Sequence, residues 1–262
     1  MRRVRLDSLL SERGVFPSRS RAAASVLAGE VMLMPGRRRV DKPGQLVPED
    51  VELALRAAPA FVSRGGTKLA NALDAFGLPV AGRRALDVGA STGGFTDCLL
   101  GRGAAHVIAL DVAYGQLDYK LRTDERVTVI ERVNARALQA DALPYRPELI
   151  VIDVSFISAT KVLPAVLAAA DTRFDCLVMV KPQFEVGRER IGKGGVVRDA
   201  DARRSALIDV GEAAIALGAD VLGFASSGLP GPKGNQETFA WLAEGGRGAV
   251  EDLEAAAREV EP

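Results

Sequence analysis

The stretch Ala85-Leu86-Asp87-Val88-Gly89-Ala90-Ser91-Thr92-Gly93-Gly94-Phe95 decides the fold. It runs from a short apolar strand into a glycine-rich loop and on into a helical pattern. Glycines at such a junction let the main chain approach a ligand closely, and in an open α/β sheet ligands bind outside the carboxyl ends of the strands. The same rhythm continues outward. A helix over Lys68 to Phe76 precedes the first strand, and further strands are expected at Val107 to Leu110, Val127 to Ile130, Leu149 to Ile152 and Cys176 to Val180. Val221 to Phe224 and Thr238 to Leu242 read as two more. Nearly continuous apolar strands alternating with helices predict an α/β fold with a parallel sheet covered on both faces.

Asp111 closes the second strand, 22 residues after Gly89. A carboxylate there can accept hydrogen bonds from ribose hydroxyls, a spacing that fits a dinucleotide and S-adenosylmethionine alike. The loop reads G-A-S-T-G-G rather than G-x-G-x-x-G. The glycine that lets a pyrophosphate approach is missing, which disfavours the dinucleotide. The candidate cofactor-binding residues are Asp87, Gly89, Ala90, Ser91, Gly93, Gly94, Phe95, Asp111 and Asp153. Asn134, after the third strand, either contacts an adenine or caps a helix.

Polar residues stand at one edge of the expected sheet. Asp153 follows the fourth strand, Lys181 follows the fifth, Glu237 sits where the last hairpin begins, and Lys68 opens the helix before the first strand. Such a Lys-Asp-Lys-Glu set suits methylation of a ribose hydroxyl, a weak nucleophile that must attack in line. Lys181 can take the 2′-hydroxyl proton or stabilise the developing alkoxide. Acting as a base would require Lys68 to depress its pKa from the ordinary value of about 10.4. Asp153 can hold Lys181, and Glu237 can orient the cluster. The glycine-rich basic segment 187–199 reads as a lid, an RNA contact or a plain solvated loop. His106, Cys98, Cys176 and Trp241 read as packing residues.

The 262 residues carry no net charge, but the balance is uneven: residues 1–42 hold ten Arg/Lys against four Asp/Glu. A short basic module on an acidic body is either a solvated surface or a nucleic-acid binder. Its arginines Arg2, Arg3, Arg5, Arg19, Arg21, Arg37, Arg38 and Arg39, with Arg64 beyond, are the candidate RNA-binding residues. Two helices are expected here, over Arg5 to Arg13 and, with Ser18 as N-cap, over Arg19 to Leu27; strands follow at Val31 to Met34 and Val51 to Leu55. Residues 56–66 read as a linker on the strength of Pro59 and Gly65-Gly66, which divides the chain into 1–55, 56–66 and 67–262. The longest uncharged run, Val221 to Pro232, is too short to span a bilayer. Asp7 and Glu12 interrupt any signal-peptide core. A lone histidine and two separated cysteines build no zinc site and no disulfide framework, so a reduced, cytoplasmic protein without bound metal is expected.

The N-terminal pattern RLDSLLSERG…SRSRAAASVLAGEVML…VDKPGQLV resembles the alpha-L (S4-like) RNA-binding motif. The segment DVGASTGGF resembles motif I of S-adenosylmethionine-dependent methyltransferases. Together, VSRGGTKL, LDVAYGQL, IDVSFIS, VKPQFEVG, GGVVRD and GLPGPKGNQETF make the chain resemble the hemolysin A (TlyA) family of ribosomal RNA 2′-O-methyltransferases, itself similar to FtsJ-type enzymes. The resemblance implies a Rossmann-like class I methyltransferase fold with a mostly parallel seven-stranded sheet behind a small α+β S4-like domain. It implies S-adenosylmethionine as methyl donor and Lys68, Asp153, Lys181 and Glu237 as the catalytic tetrad. It also implies methylation of a cytidine 2′-hydroxyl of 23S rRNA, and of 16S rRNA for members with terminal extensions such as this chain has, with capreomycin sensitivity as a consequence. The expected partners are the 50S and 30S ribosomal subunits; the free chain is expected to be monomeric and away from membranes. A binding or assembly protein that kept the fold is disfavoured by the intact tetrad. A pore-forming hemolysin is disfavoured by the lack of a spanning segment or a long amphipathic helix.

Overall fold

A computed structural model of the chain describes residues 2–56 and 60–261. It divides into two compact units, Met1–Pro59 and Ala60–Pro262. Among the described residues no helix is long and apolar enough to cross a membrane. No group of three or more metal-ligating side chains occurs among them either.

The first unit runs β1 (Arg3–Arg5), α1 (Leu6–Glu12), α2 (Arg19–Leu27), β2 (Val31–Leu33), β3 (Arg38–Arg39), β4 (Leu46–Pro48) and β5 (Leu53–Leu55). Ser18 caps α2, its side chain accepting from the Arg21 amide, as its residue type favours. Leu6, Leu9 and Leu10 share one face of α1 and pack with Ala22, Val26, Val31 and Leu33 into a small core. β2 pairs antiparallel with β3 and β5, while β1 pairs with β4.

Of the expected linker 56–66, residues 57–59 lie outside the described residues. Its far end differs from expectation: 64–66 form the first turn of α3 (Arg64–Phe76). Gly65-Gly66 therefore does not break the chain. A Cβ on Gly66 would collide with the Phe61 side chain and stand 2.7 Å from the Gly94 carbonyl oxygen. Gly66 is there so that two segments can cross closely.

The second unit continues with β6 (Arg84–Val88), α4 (Gly94–Gly101), β7 (His106–Asp111), α5 (Tyr119–Arg122), β8 (Val127–Glu131), β9 (Leu149–Ile152), α6 (Leu163–Ala169) and β10 (Asp175–Val180). It ends with α7 (Pro182–Glu185), α8 (Ala200–Ala216), β11 (Ala219–Ser226), β12 (Thr238–Glu244) and α9 (Leu253–Val260). The seven strands form one sheet in the order β11-β12-β10-β9-β6-β7-β8, in which β12 alone runs against the others. The chain leaves β6 toward β7 and β8, then returns to build β9 and β10 on the other side. That reversal opens a crevice at the carboxyl ends of β6 and β9.

Strand periodicity sorts the core into two layers. Leu86, Val88, Ile108, Ile150, Ile152, Val178 and Val180 pack on one face of the sheet. Ala85, Val107, Leu149, Val151, Leu177, Met179 and Phe239 pack on the other, with Leu69, Ala72 and Leu73 of α3 and Leu99 of α4. Successive side chains point to opposite faces. Asp153 therefore continues the row of Val151, Lys181 that of Met179 and Glu237 that of Phe239, and all three emerge on the face covered by α3.

Candidate active site

The glycine loop is built against the end of β9. Gly89 has φ +86°, and a Cβ there would collide with the Asp153 carbonyl oxygen. Only glycine accepts both the left-handed backbone and the close approach. Main-chain bonds from Gly89 N–H to the Leu110 carbonyl and from Asp153 N–H to the Val88 carbonyl, 2.8 and 2.9 Å long, lock the ends of β7, β6 and β9 together. Ser91 also has positive φ, and its N–H donates to Asp111 Oδ2 at 2.7 Å. The other Asp111 oxygen accepts from Ala113 N–H.

A cavity of about 770 Å³ opens over this loop. Gly89, Ala90, Ser91, Gly94 and Phe95 line it from the loop side, and Lys68, Asp153, Lys181 and Glu237 all line it as well. The four polar residues meet as two ion pairs. Lys68 Nζ donates to Glu237 Oε2, with both side chains nearly inaccessible to solvent. Lys181 Nζ lies 2.5 Å from Asp153 Oδ1 and donates to Ser155 Oγ at 2.9 Å. A buried charge is tolerated only when paired and hydrogen-bonded, so each lysine keeps its carboxylate in place and is kept by it.

Several expected site residues stand elsewhere. Asp87 is fully buried beneath the loop and does not reach the cavity. Its Oδ2 accepts from the Thr96 N–H and Oγ1–H at 2.9 and 2.7 Å, tying the end of β6 to α4. Burial pushes its carboxyl up to about 7, the Thr96 bonds opposing the rise and the Asp153 charge adding to it. Asn134 is a cap: its Oδ1 accepts from the Arg136 N–H at the start of the short 3₁₀ turn Ala135–Ala137. Gly93 turns the loop at φ +94°, packed toward Leu117 and Leu121. Lys68 sits in the second turn of α3, because the helix begins at Arg64. Arg64 lines the cavity and donates to the Pro230 carbonyl at 2.7 Å.

The basic residues of the first unit are also unequal. Arg5 and Arg19 both pair with the buried Asp7, at 2.8 and 3.1 Å, and the Arg5 bond above all holds that carboxyl down at about 2. Arg3 donates to the Leu46 carbonyl. Arg2, Arg21, Arg37, Arg38 and Arg39 are exposed.

Sequence reasoning missed Ser155, Phe156 and Glu185. Phe156 has φ +65°, is 92% exposed and stands with its ring centroid 5.3 Å from that of Phe184; both rings border the cavity. Glu185, on α7 just after Lys181, accepts from the Ser158 hydroxyl and the Ala159 N–H. It thereby brackets the segment that carries Asp153 and Ser155 to the one that carries Lys181. The motif letters IDVSFIS and VKPQFEVG hold these residues, but only the fold reveals that the two motifs clasp each other. Segment 187–199 is a structured turn closed by a bridge between Gly192 and Val196, with Ile191 and Gly195 on the cavity wall. His106 packs on Tyr145, both cysteines are buried, and Trp241 packs on Phe76 and donates to Asp175.

Comparison with known proteins places this geometry in a family. The chain is 49% identical over 243 residues to the 16S/23S rRNA (cytidine-2′-O)-methyltransferase TlyA of Mycobacterium tuberculosis, covering 92% of this chain and 90% of that one. It is 38% identical to hemolysin A of Brachyspira hyodysenteriae over 90% of this chain and 98% of that protein. A solved Streptococcus thermophilus protein described as a hemolysin superposes with a TM-score of 0.74 at 37% identity, covering 99% of this chain and 96% of that one. Residues 61–244, which hold the glycine loop and both ion pairs, match the FtsJ-like methyltransferases, and the chain belongs to that family.

Proposed function

We propose that this chain methylates the 2′-hydroxyl of a cytidine in ribosomal RNA with S-adenosylmethionine as the methyl donor, acting on 23S RNA in the large subunit and 16S RNA in the small one. The observation that carries the reading is the meeting of two lysine–carboxylate pairs and a glycine loop in one cavity. The 49% identical relative is named for this reaction on both RNAs.

The residues fit the donor. Gly89 leaves open the space that a side chain would fill, and the Asp111 carboxylate stands at the end of β7 beside the loop. Gly89, Ala90, Ser91, Gly94 and Phe95 would border the donor, and Asp111 would receive its ribose hydroxyls. S-Adenosylmethionine supplies a methyl group made electrophilic by the sulfonium. Lys181 carries three N–H donors; Ser155 accepts one, Asp153 pairs with the charge, and a remaining donor would serve the acceptor oxygen. There it would steady the developing alkoxide while the hydroxyl proton passes to solvent; the methyl–oxygen bond forms as the methyl–sulfonium bond breaks, leaving the neutral thioether. Glu237 holds Lys68 against the same cavity, adding a second fixed cation beside the developing charge. Phe156 and Phe184 present aromatic faces at the mouth, suited to stacking on an unpaired base.

The first unit reads as an S4-like RNA-binding domain, whose exposed arginines meet phosphates and position the enzyme without reading bases. The enzyme works as a cytoplasmic monomer between encounters with subunits. The test is to incubate purified protein with subunits from cells lacking the modification and to map the RNA by mass spectrometry. One new 2′-O-methylcytidine is expected in the RNA of each subunit. Methylation on a base, or none at all, would overturn the reading.

A further inference from the structure

We propose that Asn235 is a positioning residue for methyl transfer. Its side-chain amide clasps the turn 192–197 to the segment that carries Glu237, and this clasp shapes the acceptor half of the cavity. The inference rests on the methyl-transfer reading above and goes beyond the two ion pairs.

Asn235 is 2% exposed, and both ends of its amide are used. Its Oδ1 accepts from the Val197 N–H at 2.9 Å, and its Nδ2 donates to the Gly195 carbonyl at 2.8 Å. A side-chain amide thus pairs with main chain as a neighbouring strand would. These two bonds are the hydrogen bonds that join the two segments among the described residues. The Asn235 carbonyl in turn accepts from the Gly231 N–H at 2.8 Å, folding 231–235 back on itself. Gly231 lies beside the tetrad with no room for a side chain: a Cβ there would stand 2.5 Å from Glu237 Oε1. The clasp therefore fixes Glu237 from one side while Lys68 holds it from the other.

Strand order says which half of the cavity this is. The glycine loop leaves β6, and Glu237 opens β12, with β9 and β10 between them. At about 4.8 Å per strand, the two lie on the order of 14 Å apart across the sheet. Asp153 and Lys181, at the ends of β9 and β10, stand between. The donor occupies the β6 side, so the clasp walls the side from which the ribose must arrive. An asparagine is required because the site needs one acceptor and one donor on one rigid amide. An aspartate keeps the acceptor and loses the donor.

The experiment compares full-length wild type, Asn235→Ala and Asn235→Asp. Hydrogen exchange is read over 188–198, donor affinity by calorimetry, and methyl transfer to ribosomal subunits in single turnover. Exchange at 191–197 should rise at least tenfold in Asn235→Ala while the core strands stay protected. Donor affinity should stay within about twofold. The transfer rate should fall by about 10- to 100-fold, the scale of a small misplacement of reacting groups. Asn235→Asp keeps an acceptor for Val197 but sets a buried carboxylate oxygen against the Gly195 carbonyl. It should therefore show the same pattern at least as strongly, and either variant serves if the other does not fold. Transfer at the wild-type rate from a loosened turn would overturn the proposal. A loss of donor affinity that parallels the loss of rate would overturn it too, by placing the clasp on the donor side. A wild-type protein that methylates no subunit would instead sink the functional reading and the clasp's role with it.

Discussion

Lys68 and Glu237, 169 residues apart in sequence, form a buried ion pair between α3 and the start of β12. Their pairing joins the two ends of the catalytic unit and makes the site's charge a condition of its fold. Removing one partner strands the other charge in a dry place, at a cost of about 3–5 kcal/mol. Glu237→Ala should therefore lose about that much stability in urea unfolding as well as activity. Replacing both together, Lys68→Met with Glu237→Leu, should recover most of the stability and none of the methyl transfer. Full stability in Glu237→Ala alone would show that the pair is solvated in solution.

Lys181 is held in a different way, between Asp153 and Ser155 at the cavity wall. Lys181→Ala should bind donor and RNA yet lose about 10²-fold or more in single-turnover transfer. Lys181→Arg separates two roles: an arginine keeps the charge and cannot act as a base, so retained activity assigns Lys181 to electrostatic stabilisation. Near-normal rates in the alanine variant would remove Lys181 from the mechanism.

The buried Asp87 sets a pH dependence of stability. Its folded pKa, raised by burial to about 7, lies above the ordinary carboxylate value of 3.8. The folded chain thus holds this proton more tightly than the unfolded chain does. The associated stability is full below pH 4 and is lost as pH rises toward 7, an effect on the order of 3 kcal/mol. Asp87→Asn still offers an acceptor to Thr96 and has no proton to lose. Its stability should fall less than that of wild type between pH 4 and 7 in paired urea titrations. Identical slopes for the two proteins would refute the assignment.

Much of this site was legible because strand ends are easy to find. Asp111, Asp153 and Lys181 each follow a run of apolar residues, and the parallel sheet brings those ends to one edge. The side-chain period of two carries further than strand ends alone: it puts Asp153, Lys181 and Glu237 on the face that α3 covers. Gly65-Gly66 misled because a glycine pair in sequence does not distinguish a break from a close crossing; only the approach of Gly66 to Gly94 does. Asp87 misled for a related reason. It stands at the mouth of a ligand loop by sequence, yet it belongs to the strand and faces inward to Thr96. Asn235 and Glu185 were not legible as site residues, since their partners lie on other segments: main-chain groups for Asn235, the Ser158 hydroxyl and Ala159 N–H for Glu185.

Asp111 orders the loop before any ligand arrives, through the Ser91 and Ala113 amides. Asp111→Ala should weaken S-adenosylmethionine binding by roughly 1.5–3 kcal/mol, the scale of a hydrogen bond to a charged group. Asp111→Asn, which can still take an amide bond, should fall between. Calorimetry showing wild-type affinity in folded Asp111→Ala would take the ribose contact away from this residue.

The two units should divide the work between them. The second has its own two-layer core, the cavity and both ion pairs, so a protein starting at Ala60 should fold and bind S-adenosylmethionine. It should fail on ribosomal subunits, because a large structured RNA needs an electrostatic grip beyond one pocket. Within the first unit the arginines should not count equally. Arg5 and Arg19 already neutralise Asp7, whereas Arg37, Arg38 and Arg39 stand exposed in and beside β3. Replacing Arg37, Arg38 and Arg39 by Ala should weaken subunit binding and reduce its salt slope by up to about 3, leaving donor affinity unchanged. Arg5→Ala should act first on stability, by releasing a carboxylate held at about 2 by its guanidinium. If the shortened protein modifies subunits as well as the full chain does, the first unit is no anchor, and its charge is only a solvated surface.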